Sequence, residues 1–183
     1  MDITQDGFLG GKLRVSQPKT GYRAGIDPVL LAAACPAKPG EKVLELGCGV
    51  GVASMCLMAR VPEVRLYGVE ILPEYAQIAR DNAAQNNFEF EVQVGDVSAR
   101  PTPFNGHEFH QIIMNPPYFE ANSSSISPDA GRASGRAEVI SLSHWVDTAA
   151  KRLLPRGYLT LIQRVERLPN ILAGLAERLG SVS

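Results

Sequence analysis

The sequence predicts an α/β fold in which helices cover both faces of a mainly parallel, doubly wound sheet. From residue 43 onwards, apolar runs of strand length alternate with segments of helical length. The strand runs are almost continuously apolar, as in residues 112–114, which is typical of strands buried on both faces. A glycine-rich turn at 47–51 follows the first of these runs. Connections of helical length between strands require crossovers, and crossovers join parallel strands.

Composition limits the classes of protein that the chain can belong to. Its 183 residues suit one domain, and 45% hydrophobic with 20% charged residues is ordinary for a globular protein. A net charge of −1 makes nucleic-acid binding depend on a local basic patch. The three cysteines have neither disulfide nor zinc-site spacing. Without a signal-peptide pattern or an apolar run of spanning length, we expect a cytoplasmic protein.

The first 40 residues are expected to form a segment of short strands and one helix that covers the ligand pocket, ahead of a main domain at 41–183. Four apolar residues are candidate anchors of short strands: Phe8, Leu9, Leu13 and Val15. A helix is predicted to start with Asp27 as its N-cap and Pro28 as its first residue. Pro36 ends that helix.

The main domain is predicted to alternate between strands and helices. In chain order we predict strand 43–46, helix 52–60, strand 65–70, helix 73–87, strand 90–94, strand 111–114, helix 143–154, strand 157–163 and helix 168–179. The segment 120–135 is rich in small residues, and a loop of this length is usually functional or disordered. Because the chain stops after a helix, we expect the sheet to be incomplete at its C-terminal strands.

The tetrapeptide Asn115-Pro116-Pro117-Tyr118 closes the apolar run 112–114. Prolines lack an N–H and hold φ at about −65°, so the strand must stop and leave carbonyl oxygens exposed. Ligands of open α/β sheets bind at such strand ends. An amide, bare carbonyls and an aromatic ring suit a planar group that carries an amine, although a plain Pro-Pro turn would use the same residues.

Glycines and acids mark the ends of the preceding strands. The turn at 47–51 has the spacing G-x-G-x-G, and Glu45 beside it would repel a pyrophosphate but suit a cationic or zwitterionic ligand. Glu70 ends the second strand, where a carboxylate usually accepts from ribose hydroxyls. Asp96 follows the third strand and could accept from an adenine amino group. Together they predict a pocket for an adenosine-containing ligand.

These motifs resemble those of class I S-adenosylmethionine-dependent methyltransferases, whose sheet is Rossmann-like, from about residue 20 to the end of the chain. The resemblance implies that S-adenosylmethionine is the cofactor, with its ribose on Glu70 and its adenine on Asp96. It implies that four residues line the methionine part: Glu45, Gly47, Gly49 and Gly51. The other implied cofactor contacts are Gly25, Asp27, Cys48, Ile71, Val97 and Asn115.

The Asn-Pro-Pro-Tyr motif resembles that of the branch that methylates planar amino groups: adenine N6, guanine N2, cytosine N4 or a glutamine amide. Residues 22–31, Tyr-Arg-Ala-Gly-Ile-Asp-Pro-Val-Leu-Leu, are similar to the corresponding segment of adenine-N6 methyltransferases that modify valine tRNA. The resemblance implies an RNA partner, tRNA above all, with no metal and no membrane. Those proteins normally extend further at the C-terminus.

The expected catalytic residues are Asn115, Pro116 and Tyr118. An exocyclic amine is a poor nucleophile because its lone pair is delocalised into the ring. If Asn115 Oδ1 and the Pro116 carbonyl each accept one N–H, the nitrogen is drawn toward tetrahedral geometry and its lone pair faces the methyl group. The residues expected to bind the substrate, by stacking or by phosphate contacts, are Pro117, Tyr118, Phe119, Arg132 and Arg136.

Several polar residues have a structural and a functional interpretation. Asp27 is compatible with a helix cap and with a place beside the cofactor. Lys19 and Arg23 could contact phosphate or be solvated. Trp145 has the spacing of a packed helix residue, and the histidines, among them His107, lack ligand spacing.

Three further functions remain open at this point. A protein glutamine methyltransferase of release factors would share the Asn-Pro-Pro-Tyr chemistry, but the residues before the first strand are few for its helical substrate-binding domain. A DNA adenine methyltransferase would normally need a target-recognition insert. A catalytically idle RNA-binding module would need neither an intact Asn115 motif nor an intact cofactor pocket.

Overall fold

The structure of the protein is a computed structural model that describes residues 1–99, 103–117, 142–175 and 178–180. The strands are β1 (Ile3–Phe8), β2 (Leu13–Pro18), β3 (Lys42–Leu46), β4 (Arg65–Glu70), β5 (Phe90–Val94), β6 (Phe109–Met114) and β7 (Leu153–Leu161). The helices are α1 (Asp27–Ala34), α2 (Val52–Arg60), α3 (Pro73–Gln85), α4 (Leu142–Ala150) and α5 (Leu168–Leu175). Within the described ranges, no helix has both the length and the apolar character needed to cross a bilayer.

Five strands form one parallel sheet in the order β5-β4-β3-β6-β7. The chain moves outward from β3 through β4 to β5, then returns to the other side of β3 to place β6 and β7. This reversal makes the gap between β3 and β6 a topological switch point, the place where open sheets of this kind bind ligands. The predicted α/β fold with a doubly wound parallel sheet is confirmed.

Both faces of the sheet are buried, which explains why its strands are almost continuously apolar. Ile113 packs into a core with α1, α2 and α3, whereas the neighbouring Ile112 packs into a second core with α4 and α5. Both side chains are fully buried. Val43 and Leu44 of β3 divide between the same two cores.

The N-terminal residues form an antiparallel hairpin of β1 and β2, separate from the main sheet. This confirms the predicted short strands. Two asparagines of α3 hold β2 through backbone-like hydrogen bonds: Asn82 bonds both the N–H and the C=O of Ser16, and Asn86 does the same with Arg14. The side-chain amides of the helix therefore satisfy backbone groups of β2 that a neighbouring strand would otherwise bond.

Several predicted boundaries are wrong: the helix predicted over 73–87 ends at Gln85, the strand predicted over 111–114 begins at Phe109, and the strand predicted over 157–163 is Leu153–Leu161. Helix α1 is capped by Ile26, whose carbonyl accepts the first helical bonds, so Asp27 lies in the first turn rather than at the N-cap. A carboxylate there still favours the positive end of the helix dipole. The helix predicted to reach residue 154 ends at Ala150, and Leu153 begins β7 by pairing with Phe109. The pairing then becomes irregular, which is where a sheet tolerates a proline such as Pro155.

Candidate active site

Four strand ends meet at the carboxyl edge of the sheet and bring the predicted residues together. The sheet order places Asp96 after β5, Glu70 at the end of β4, the glycine turn after β3 and Asn115 after β6. Parallel strands share this edge, so residues distant in the chain become neighbours. The predicted residues Ile71 and Val97 follow two of these acids directly, and Val97 is buried.

The turn after β3 needs its glycines. Gly47, Gly49 and Gly51 have φ values of +65°, +54° and +87°, a backbone region that residues with a Cβ rarely adopt. A Cβ on Gly47 would lie 2.7 Å from the ring of Trp145, and a Cβ on Gly51 would lie 3.0 Å from Phe90. The turn is therefore packed closely against α4 and β5, and its backbone conformation would be strained for other residues.

Glu70 ties the end of β4 to this turn. Its carboxylate accepts hydrogen bonds from the backbone N–H of Gly49 at 2.8 Å and of Leu72 at 2.9 Å. Burial raises the pKa of Glu70, while the bonds from Leu72, Gly49 and Ile71 oppose that shift. Each carboxylate oxygen has a further lone pair, so the group can still accept from a ligand hydroxyl.

Glu45 is turned toward the start of α2. One carboxylate oxygen accepts from the backbone N–H of Ser54 at 3.0 Å and from its hydroxyl at 2.6 Å. Only 4% of the residue is exposed. Burial raises its pKa to about 8, against the bonds from Ser54 and with a smaller contribution from the charge of Glu70. At neutral pH the group is therefore mainly protonated.

Asp96 lies beside a cavity of about 530 Å³ at the end of β5. One of its oxygens accepts from both the N–H and the hydroxyl of Ser98, at 2.7 Å each, which fixes the carboxylate in a local turn. Phe104 and His107 line the same cavity, and their rings contact Tyr67. His107, which had no role in the sequence analysis, thus lines the same cavity as Asp96.

The Asn-Pro-Pro segment follows β6, the strand that lies next to β3 in the sheet. Asn115 is partly buried, Pro116 is buried and Pro117 is exposed. The Pro116 carbonyl accepts a hydrogen bond from Gln163 Nε2 at 3.3 Å. The side chain of Asn115 lies near the hydroxyl of Tyr22 and lowers its pKa against the larger effect of burial.

Tyr22 is a residue of the site that sequence reasoning missed. Its ring lies 3.7 Å from where a Cβ of Gly49 would be, and its backbone carbonyl accepts from the hydroxyl of Tyr75. Desolvation of its hydroxyl, followed by the charges of Glu45 and Asp27, raises the pKa of Tyr22 to about 12. Asp27 therefore lies near the Tyr22 hydroxyl. The sequence offered one indication of this role: Tyr22 is the first residue of segment 22–31, which resembles the corresponding segment of the valine tRNA methyltransferases.

Other predicted residues have different surroundings. Arg23 binds Asp6 and Thr4 of the hairpin, and Lys19 pairs with Asp2, so both have structural partners. A Cβ on Gly25 would meet open space. Cys48 is buried, and a Cβ on Gly68 would lie 2.9 Å from its sulfur, so a small side chain is required at 48. Four predicted substrate contacts lie outside the described residues: Tyr118, Phe119, Arg132 and Arg136.

The hydrogen-bonding and charged groups around the site fit S-adenosylmethionine. The carboxyl groups of Glu45, Asp27 and Glu70 all contribute to the raised pKa of Tyr22, so three acids lie near its hydroxyl. Such a set of carboxyl groups suits a ligand with a sulfonium and an ammonium group, whose positive charge would favour the charged form of Glu45. Glu70 and Asp96, at successive strand ends, offer acceptors for a ribose diol and an amino group.

Residues 24–182 match the family model described as methyltransferase small domain. A tRNA1(Val) (adenine(37)-N6)-methyltransferase of Porphyromonas gingivalis is 32% identical over 175 residues, covering 91% of this chain and 68% of the relative. Its namesake from Yersinia enterocolitica is 36% identical over 115 residues, covering 62% of this chain and 46% of the relative. The chain thus spans about two thirds and about half of these relatives.

Solved structures show the same fold. A protein described as a predicted O-methyltransferase, Atu636 from Agrobacterium tumefaciens, superposes with a TM-score of 0.62 at 27% identity, covering 81% of this chain and 66% of that one. TrmN from Thermus thermophilus superposes with a TM-score of 0.60 at 20% identity, covering 80% and 40%. The match to the family model over most of the chain and the 32% identical relative lead to one conclusion. The chain belongs to the methyltransferase small domain family, as a class I, S-adenosylmethionine-dependent methyltransferase.

Proposed function

We propose that this methyltransferase transfers a methyl group to an exocyclic amino group, and that its substrate is adenine N6 in tRNA. The observation that carries the proposal is the pair of acceptors, Asn115 and the Pro116 carbonyl, that follows β6 beside the glycine turn. Relatives from Porphyromonas gingivalis and Yersinia enterocolitica carry the name tRNA1(Val) (adenine(37)-N6)-methyltransferase, which supports tRNA as the substrate. A tRNA substrate favours a cytoplasmic location.

The proposed division of the chain follows the site. Residues 1–40 contribute Tyr22 and Asp27 and cover the cofactor pocket, and residues 41–183 form the methyltransferase domain. The substrate contacts from Tyr118, Phe119, Arg132 and Arg136 are part of this proposal. The arginines would hold phosphate and the rings would stack on a base turned out of its neighbours.

The reaction requires the protein to position the target amine against the methyl group, and it does not require a strong base. When bound, S-adenosylmethionine would supply a methyl group on a cationic sulfur: the amine nitrogen would form the new C–N bond, and the sulfur would keep the electron pair of the C–S bond. Asn115 Oδ1 and the Pro116 carbonyl accept the two amine hydrogens and draw the lone pair out of the ring. The nitrogen carries the developing positive charge, and both oxygens point dipoles at it. The extra proton then leaves to water.

The first experiment measures transfer of labelled methyl groups from S-adenosylmethionine into unmodified tRNA, followed by nucleoside analysis. We expect label in N6-methyladenosine. Label in another nucleoside that is methylated on its amino group would mean that this base, and not adenine, is the target. No label in tRNA, together with label in a release factor, would make the chain a glutamine methyltransferase. Cofactor binding without transfer to either would favour the idle RNA-binding module.

Asn115→Ala tests the assigned chemistry. Turnover should fall by about 10²-fold or more, because one preorganised partner of the reacting group is removed. The cofactor dissociation constant, measured by calorimetry, should change little. Asn170→Ala, on the exposed surface of α5, is the matched control and should retain turnover. Equal losses of turnover and cofactor affinity in Asn115→Ala would contradict the role.

A further inference from the structure

Asp96 is held in a local turn that uses one of its two carboxylate oxygens. Oδ1 accepts from both the N–H and the hydroxyl of Ser98, at 2.7 Å each. The backbone carbonyl of Asp96 accepts from the N–H of Ala99 at 3.2 Å, which closes the same turn. Oδ1 thus serves the turn, and Oδ2 is the oxygen that can serve a ligand. The direction in which Oδ2 accepts is set by the backbone on either side, at residues 95 and 97.

Thr148 of α4 holds the residue that follows Asp96. Its hydroxyl donates to the backbone carbonyl of Val97 at 2.9 Å. The side chain of Val97 is buried in the core that also contains Val146 and Ala149 of α4. Residue 97 is therefore held to α4 by a directed hydrogen bond as well as by packing.

Arg152 holds the residue that precedes Asp96, through Pro103. Its buried guanidinium donates to the carbonyl of Phe104 and, at 3.1 Å, to the carbonyl of Pro103. The ring of Pro103 covers Gly95, because a Cβ at residue 95 would meet the Cγ of that ring. The bonds from Arg152 therefore fix the surface against which residue 95 packs.

These contacts come from one side of α4 and of the turn that ends it. Trp145 and Thr148 are three residues apart on the helix, and Arg152 follows four residues later, which is the spacing of side chains on a common face. Trp145 packs against Gly47 of the glycine turn. Helix α4 therefore supports the glycine turn and the segment around Asp96 together.

We propose that Thr148 and Arg152 are positioning residues that make the cofactor site specific for a base with an amino group: they hold the backbone on both sides of Asp96, so that Oδ2 accepts from that amino group. This inference rests on Asp96 as the acceptor for the cofactor base. It goes beyond the proposed function, because it concerns the base of the cofactor and not the amine that is methylated. Neither residue touches the base, and each acts through the carboxylate.

Two ligands that differ at one position of the base test this specificity. S-adenosylhomocysteine carries an amino group there, whereas S-inosylhomocysteine carries a carbonyl oxygen. A carboxylate accepts from the amino group but faces a second acceptor in the carbonyl oxygen. Calorimetry with the native chain should therefore show tighter binding of S-adenosylhomocysteine by about tenfold or more, the equivalent of one hydrogen bond to a charged group.

Thr148→Val removes the hydroxyl with little change in shape, and Arg152→Met removes the guanidinium. In each variant the affinity for S-adenosylhomocysteine should fall about three- to tenfold, while the affinity for S-inosylhomocysteine changes by less than about twofold. Thr148→Ser keeps the hydroxyl and should retain the native ratio of the two affinities. Lys151→Met, which changes an exposed neighbour of Arg152, is the second control. Thr148→Val decides the test if unfolding curves show that Arg152→Met does not fold.

The outcomes separate this inference from the proposed function, because the binding measurements use neither tRNA nor methyl transfer. A chain that transfers no methyl group to tRNA, but whose Thr148→Val variant loses the preference for adenine, would contradict the proposed function and support this inference. A native ratio of affinities in Thr148→Val would overturn the inference, whether both ligands bind as before or both are weakened equally. A native chain that binds the two ligands equally well would also overturn it.

Discussion

Glu45 shows how much the surroundings of a single residue decide. In the sequence it is a carboxylate beside a glycine turn, suited to a cationic ligand. In the structure it is buried, bonded to Ser54 and has a pKa of about 8, so it carries a proton at neutral pH. A cationic ligand that approaches it would favour the charged form and lower that pKa.

The raised pKa predicts that Glu45 lowers stability as the pH rises. Between its usual value of 4.5 and the folded value of about 8, the folded state keeps a proton that the unfolded state has released. The free energy of unfolding therefore falls with rising pH across this window. The free energy of unfolding, measured with denaturant at several pH values, should fall with rising pH in the native chain more steeply than in Glu45→Gln. The difference between the two should therefore grow from pH 4.5 to about pH 8. Parallel curves would show that Glu45 is charged in the folded state.

At the scale of elements, the hairpin and helix α3 form one unit around the cofactor turn. Asn82 is fully buried, and its Nδ2 donates both to Ser16 O in β2 and to Val50 O in the glycine turn. Asn86, one turn later, bonds Arg14 in the same way but does not bond the glycine turn. The two residues thus share an anchoring role, and only Asn82 bonds both the hairpin and the turn.

This difference predicts that alanine at residue 82 and alanine at residue 86 will have different effects on cofactor binding. Asn82→Ala should leave buried backbone groups unpaired, lower the free energy of unfolding by about 1–3 kcal/mol and weaken cofactor binding. Asn86→Ala should destabilise the chain but leave cofactor affinity unchanged, because the glycine turn keeps its partner. Unfolding curves and calorimetry with S-adenosylhomocysteine measure the two effects. Equal loss of cofactor affinity in both variants would mean that the hairpin as a whole, rather than Asn82, shapes the turn.

At the scale of the molecule, the site exists only when the sheet is assembled. Its residues come from the ends of β3, β4, β5 and β6, which pair in register across the sheet. Two cores, one on each face, hold those strands in place. A ligand that binds this edge therefore binds the folded state alone and stabilises it by mass action.

S-adenosylhomocysteine should consequently raise the melting temperature of the native chain. At about 100 times its dissociation constant the ligand adds about 2.7 kcal/mol to the free energy of unfolding. Glu70→Gln should lose most of this increase, because an amide nitrogen then opposes the N–H of Gly49 or of Leu72 and disturbs the turn. Asp81→Asn, exposed on α3, is the control. If S-adenosylhomocysteine raised the melting temperature of Glu70→Gln as much as that of the native chain, Glu70 would not be a residue of the cofactor site.

Most of the fold could be predicted from the sequence because it is encoded in short stretches. Helix α2 and strands β4 and β5 begin and end at the predicted residues. The end of α4 was mispredicted because Leu153 and Leu154 continue an apolar pattern that suits either a helix or a strand. Pairing with Phe109, which no local pattern reports, decides for the strand.

The sequence by itself determined the parallel sheet, the glycine turn and the positions of Glu70, Asp96 and Asn115 at strand ends, since periodicity and backbone preference act over a few residues. Only the tertiary structure decided which side chains complete the site. The ring of Tyr22 lies against Gly49, and Gln163 donates to the Pro116 carbonyl across 47 residues of chain. Such contacts depend on how separate elements pack against one another, and the packing follows from the whole core rather than from any segment.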